Sequence, residues 1–289
     1  MKVKKCIIAS AILILVVLLS NVLINQCFLN IYSSFGKIND MVKINLQLLY
    51  PDIYTYSAKN PTTPIYSYAK FDFSARGYFL SEYKWEGSLS SGFGRLSSSQ
   101  LIESSYVKSQ NYYSKNNTNI DLNILDGEDD QAVFEVVIGC DSIDYKEFIS
   151  YYHSFYDYNE FKDIKLNWIG IKSSDKPEDV TIGVPGPLSC VVADKLLGTN
   201  IKRSFFEYGE KQKEYLINCL SHIENNSDVA SRVEDSGLFG STIINYKERN
   251  EYIKNNDLKV LGFFAYMNKS ELINFINEEY YLLSIKKVM

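Results

Sequence analysis

The sequence predicts an α+β protein: an N-terminal transmembrane helix, then a β-rich region, then a ferredoxin-like βαβ + βαβ domain with a helical insertion. Three observations carry this reading. A lysine cluster precedes a long uncharged apolar run. Tyrosine- and phenylalanine-rich stretches in the middle alternate with polar residues, the period of strands. In the second half, the series strand-like run, amphipathic segment, strand-like run occurs twice. With 289 residues, 46% of them apolar and 22% charged, the chain can bury a substantial core.

From Cys6 to Ile24 there is no charge, and none follows until Lys37. About 20 apolar residues cross the ~30 Å hydrocarbon layer as a helix. Lys2, Lys4 and Lys5 precede the run, so the positive-inside rule places the N-terminus in the cytoplasm and the bulk of the chain outside. The alternative, a cleaved signal peptide, lacks a small-x-small cleavage site. Cys27 is preceded by Ile24, Asn25 and Gln26, which does not fit a lipoprotein box. The expected division is therefore a cytoplasmic tail at 1–5, a transmembrane helix at 6–29, an extracytoplasmic β-rich region at 30–125 and a C-terminal domain at 126–289.

Residues 30–60 read as polar and mixed, with a short helix in LQLLYPDIY stopped by Pro51. Tyr66, Tyr68, Phe71 and Phe73 alternate as in a strand, and Arg76-Gly77 reads as a turn. Ser88–Ser99 is rich in Gly and Ser and reads as a loop or a bulged strand. A polar, acidic connection leads to Asp126–Asp130.

The pattern then sharpens. AVFEVVIGC (132–140) reads as a strand, and residues 142–155 place Ile143, Phe148, Ile149, Tyr152 and Phe155 at helical spacing. IKLNWIGIK (164–172) reads as the next strand. The second unit is a strand at 259–267, a helix at 268–280 and a strand at 281–288, with Asn268 and Glu271 spaced as a capping box. Between the units, helices are expected at 208–223 and 243–256.

Several chemistries are excluded. His153 and His222 are the only histidines and no CxxC occurs, so a multi-histidine or structural zinc site is not expected. A net charge of −5 argues against nucleic acid. Neither GxGxxG nor a P-loop is present, so no cofactor is expected. Ser189 and Cys190 lie in a Gly/Pro-rich loop, but the second glycine of a GxSxG elbow is missing. Lys195 stands six residues after Ser189, not three. Cys190 would need His153 or His222 as its base, and both sit in ordinary amphipathic helices. The acidic run at 126–130 lacks the EF-hand spacing and reads as a solvated loop. Cys140, Cys190 and Cys219 leave open whether any two form a disulfide. No catalytic, cofactor-binding or metal-binding residue is assigned. Trp168 reads as a core residue. Gly183–Pro187 reads as a loop able to open or close over the sheet edge, with Pro185 and Pro187 shaping it.

Residues from about Gln131 to Lys287 resemble the C-terminal domain of membrane-anchored anti-sigma factors, the sigma factor regulator family of Firmicutes. The resemblance rests on ordered features: AVFEVVIGCDSIDYKEF as the opening strand and helix, LNWIGIKSS as a Trp-bearing strand, TIGVPG as a Gly-Pro loop, INCLSHI as the end of a middle helix, and NEYIKNNDLKVLGFFAYMNKSELINFI as the closing helix, turn, strand and helix. It implies a non-enzymatic, extracytoplasmic sensory or regulatory module, with no cofactor and an anti-sigma or sigma partner. Residues 1–5 are too few to bury the ~800 Å² per partner of a standard interface, so a membrane or cytoplasmic partner protein, or a longer N-terminus, is expected to make that contact. A non-catalytic envelope scaffold and an envelope hydrolase using Ser189 are the other readings.

Overall fold

The computed structural model describes residues 2–50, 55–58, 69–76, 84–92, 95–99, 120–155, 165–176, 179–186, 209–239 and 244–288. The first element, α1 (Lys2–Leu49), is one continuous helix. The sequence was expected to leave the helix near residue 29, but nothing there stops it. Between Asn25 and Leu49 no proline occurs and Gly36 is the only glycine. The helix ends just before Pro51, whose ring disfavours helical geometry in the preceding residue.

The two halves of α1 sit in opposite surroundings. Ile7, Ile8, Ile12 to Leu19 and Leu23 are 53–68% exposed, on every side of the helix. Ile38, Met41, Val42 and Ile44 through Tyr50 are buried. Among the described residues no helix is long and apolar enough to cross a membrane. The side chains of Lys2 to Cys6, Ala9, Asn21, Val22 and 24–35 are not among them.

Strands β1 (Thr55–Ala58), β2 (Ala69–Arg76), β3 (Lys84–Gly92) and β4 (Arg95–Ser99) form an antiparallel meander in that order. Phe71 and Phe73 lie in β2 as expected, while Tyr66, Tyr68 and Gly77 lie outside the described residues. The Gly/Ser-rich segment is neither a loop nor a single bulged strand. It folds back as β3–β4, with Ser88 opposite Ser99 and Ser90 opposite Ser97. The ladder bonds are made by the backbone, so serine-rich segments pair once a neighbouring strand is in place.

The second sheet carries the main core. Its elements are β5 (Val133–Asp144), α2 (Tyr145–Phe155), β6 (Lys165–Ile171), β7 (Ile182–Pro185), α3 (Gly209–Asn225), α4 (Ser227–Asp235), α5 (Tyr246–Asn255), β8 (Lys259–Asn268), α6 (Lys269–Phe275) and β9 (Tyr280–Lys287). The strand order is β7-β6-β8-β5-β9, every neighbour antiparallel. Strands of the unit β5-α2-β6 thus alternate with strands of the unit β8-α6-β9. On one face Phe134, Val136, Ile138, Ile169, Phe263, Ala265 and Met267 pack under α2 and α6. The aromatic rings of Phe148, Phe263, Phe275 and Tyr280 meet there at centroid distances of 5.1–6.5 Å. Val137, Trp168, Leu261, Phe264 and Tyr266 form a second buried cluster.

Four departures from the sequence reading have local causes. TIGVPG is an edge strand, β7, rather than a movable loop: Gly183 pairs with Gly170, Pro185 with Trp168, and the strand is buried. Pro185 fits because an edge strand has one side without a ladder partner. β5 runs four residues beyond Cys140, through a bulge between Gly139 and Ile143, so α2 starts at Tyr145. α6 stops at Phe275, and Asn277 takes the N–H groups of Glu279 and Tyr280 to launch β9. α4 was not expected; it is short and mostly polar, with only Val229, Ala230 and Val233 buried. The capping box at Asn268 and Glu271 is present as read: each side chain bonds the other's backbone N–H, at 2.8 and 2.9 Å.

Gly139, Gly262, Gly170 and Gly183 stand opposite one another on four adjacent strands. The row makes room for aromatic rings. A Cβ on Gly183 would lie 2.2 Å from the Trp168 ring, and one on Gly139 would lie 2.6 Å from the Tyr281 ring. Gly139→Ala is expected to destabilise the chain by about 1–3 kcal/mol in denaturant unfolding. In a Tyr281→Ala background the same change should cost clearly less, because the colliding ring is gone. Equal costs in the two backgrounds would contradict the packing described.

Candidate functional site

Residues 172–176, which follow β6, and 179–181, which precede β7, lie against α5. The anchor is Arg249, in the middle of α5 and buried. Its guanidinium donates to Ser173 Oγ at 2.9 Å and to the Val180 carbonyl at 3.2 Å, and it pairs with Asp179 at 3.2 Å. A buried guanidinium must spend its N–H groups in this way, because burial without partners is costly. The clamp ties Ser173, Asp179 and Val180 to α5, and a cleft of about 340 Å³ lies between residues 173–176 and that helix.

The cleft walls are polar. Asp175 takes a salt bridge from Lys172 at 2.7 Å and a hydrogen bond from the Tyr252 hydroxyl at 3.2 Å. Lys176 reaches across to Glu248 at 2.6 Å. Glu248 is fixed from its own side by Asn245, the N-cap of α5, whose amide donates to it at 3.1 Å. The hydrogen bond from Lys172 lowers the Asp175 carboxyl and raises the Lys172 ammonium from their ordinary values. Burial pushes the Tyr252 hydroxyl up. Glu251, Asn255 and Asn256 complete the lining. Among the described lining residues there is no histidine or cysteine. Among the described residues no group of three or more His, Cys, Asp or Glu is placed to hold a metal. The arrangement suits binding by hydrogen bonds.

α5 also reaches α1. The Tyr246 hydroxyl, at the start of α5, donates to Asn45 Oδ1 of α1. Two residues on, Gln47 accepts twice: its carbonyl from Trp168 Nε1 at 2.9 Å and its side-chain oxygen from the Tyr215 hydroxyl of α3 at 2.8 Å. Burial raises the Tyr246 hydroxyl, with Glu234 adding to the effect.

The residues singled out in the sequence do not converge here. Ser189, Cys190, Lys195 and Pro187 lie outside the described residues, as does the side chain of His153. His222 is half-buried on α3, where with Lys43 it offsets part of the burial that raises Asp40 of α1. Cys140 and Cys219 are free, buried thiols that desolvation pushes up to about 12. They are therefore poor nucleophiles and are not bonded to each other. The acidic run at 126–130 is tied down by lysines: Glu128 pairs with Lys287, and Asp130 lies 3.8 Å from Lys269. Trp168 is buried, as read.

Sequence reasoning missed Arg249 and the Asn45–Gln47 pair. KINLQLL carried a signal, since two amides set among apolar residues on every side of a helix imply buried polar contacts. Arg249 carried none, because it lies in a helix of charges that reads as solvent-facing.

Arg249→Met should cost about 1–3 kcal/mol, since it leaves Ser173 and the Val180 carbonyl without their donor. Lys176→Met breaks an exposed pair and should cost less than about 1 kcal/mol. Urea unfolding of the two variants checks this, and equal costs would contradict the clamp.

Residues 125–281 match the sigma factor regulator C-terminal family, more than half of the 289-residue chain. The matched segment includes both walls of the cleft and ends within β9. No curated protein and no solved structure matches the chain.

Proposed function

The chain belongs to the sigma factor regulator C-terminal family, and from that premise we propose that it is a single-pass membrane regulatory protein whose extracytoplasmic domain binds a signal. The observation that carries the reading is the double life of α1. The helix that holds the uncharged stretch from Cys6 to Gly36 ends inside the core of the family domain. Three lysines precede that stretch, which supports an N-terminus inside and a domain outside. Among its described side chains, Ile7, Ile8, Ile12 to Leu19 and Leu23 are exposed all round the helix, which supports a helix solvated by lipid. The alternating strand order of the two β-α-β units supports a ferredoxin-like reading of the sheet. The domain acts by binding and by passing a change of state along α1. A sigma factor is the eventual partner that the family implies, reached through a membrane or cytoplasmic protein.

Deleting the gene tests this. Transcript profiling should show one alternative sigma factor's regulon altered, restored by the full chain and not by a chain that starts at Lys37. Unchanged transcription would instead favour the scaffold. Restoration by the shortened chain would remove the role of the apolar half of α1.

A further inference from the structure

The cleft between residues 172–176 and α5 points to a class of signal, on the strength of the regulatory reading above. We propose that it binds a neutral, hydroxyl-rich ligand the size of a mono- or disaccharide. An apolar ligand would have to cover charged or amide head groups on both walls, since Tyr252 is the one aromatic or aliphatic residue in the described lining and its hydroxyl is bonded to Asp175. An anion would face three carboxylates, Asp175, Glu248 and Glu251. A cation would compete with Lys172 and Lys176, which already neutralise Asp175 and Glu248. What remains is a surface of fixed hydrogen-bonding groups with little net charge. The Glu251 carboxylate and the Asn255 amide accept and donate, and Tyr252 offers a half-buried ring for a sugar face.

Size and rigidity agree with this. About 340 Å³ falls at the small end of ligand-pocket volumes. The walls are set in advance: Arg249 ties one to the other, and the two lysine pairs hold the carboxylates in place. Little ordering is then left for the ligand to impose, which favours binding of a weakly interacting neutral molecule. The site is also wired to α1, because α5 carries Glu251 and Tyr252 at one end and the Tyr246–Asn45 bond at the other.

The test is isothermal titration of the full chain in detergent micelles. The probes are N,N′-diacetylchitobiose, cellobiose and maltotriose as neutral saccharides, spermidine as a cation and inorganic phosphate as an anion. At least one saccharide should bind saturably, and Tyr252→Ala and Glu251→Ala should each weaken it by about tenfold or more. Glu251 is exposed, so its variant folds even if Tyr252→Ala does not. The proposal is overturned if no saccharide binds at millimolar concentration, if saccharide binding survives both substitutions, if spermidine binds in a manner abolished by Glu251→Ala, or if phosphate binds in a manner abolished by Lys176→Met. Loss of saccharide binding alongside a deletion that still alters one sigma regulon removes only the ligand class. Saccharide binding alongside unchanged transcription removes the regulatory reading and leaves the site.

Discussion

The hydrogen bond on which the joint between α1 and the sheet centres runs from the indole N–H of Trp168 to the carbonyl of Gln47. The last carbonyls of a helix have no partner within it. In α1 the Leu46 carbonyl is taken by the Tyr50 N–H, and the next, that of Gln47, is taken by the indole. The same ring lies against Gly170 and Gly183 and so fixes the spacing of β6 and β7. The end of α1, the edge of the sheet and the origin of the 172–181 segment are thereby set by a single side chain. The Gln47 side chain, held by Tyr215, adds α3 to the joint. A helix that would otherwise be a tether becomes part of the folded domain.

This joint explains where the cleft lies. The 172–181 segment leaves β6 only four residues after Trp168 and returns at β7, so both of its ends are held by the sheet. Arg249 then fixes Ser173 near one end, and Asp179 and Val180 near the other, against α5. The contrast between the two kinds of ion pair is instructive. Arg249–Asp179 is largely buried and positions a segment of backbone, whereas Lys176–Glu248 is exposed and does little beyond fixing the charge balance of the cleft. The layer beneath α2 and α6 is mainly aromatic, and there the Tyr151 hydroxyl of α2 donates to the Phe275 carbonyl of α6.

Much of the sheet was legible because its signals are local. Apolar runs at 132–140 and 259–267, helical periodicity at 142–155 and the Asn268–Glu271 cap each need only a short window. What was not legible depends on contacts across the chain. Gly183 and Pro185 look like loop residues until Trp168 is placed beside them. Serine-rich strands look like linkers until the neighbouring strand supplies a ladder. The continuation of α1 past residue 29 was hidden by its polar composition, which reads as a surface segment because the partners of Asn45 and Gln47 are 121–201 residues away. The cleft was invisible for the same reason: its two walls are 72 residues apart at Lys176 and Glu248.

The measurement that bears most directly on this account is hydrogen exchange of the full chain in a membrane mimetic, followed amide by amide through α1. If the end of α1 belongs to the core, residues 41–49 exchange only as slowly as β5 and β8, and they lose that protection together with β6 when Trp168 is replaced by Phe, which keeps a ring but removes the N–H. If residues 41–49 instead exchange like an isolated helix while the sheet stays protected, or are unaffected by Trp168→Phe, the helix is only a tether and the account is wrong.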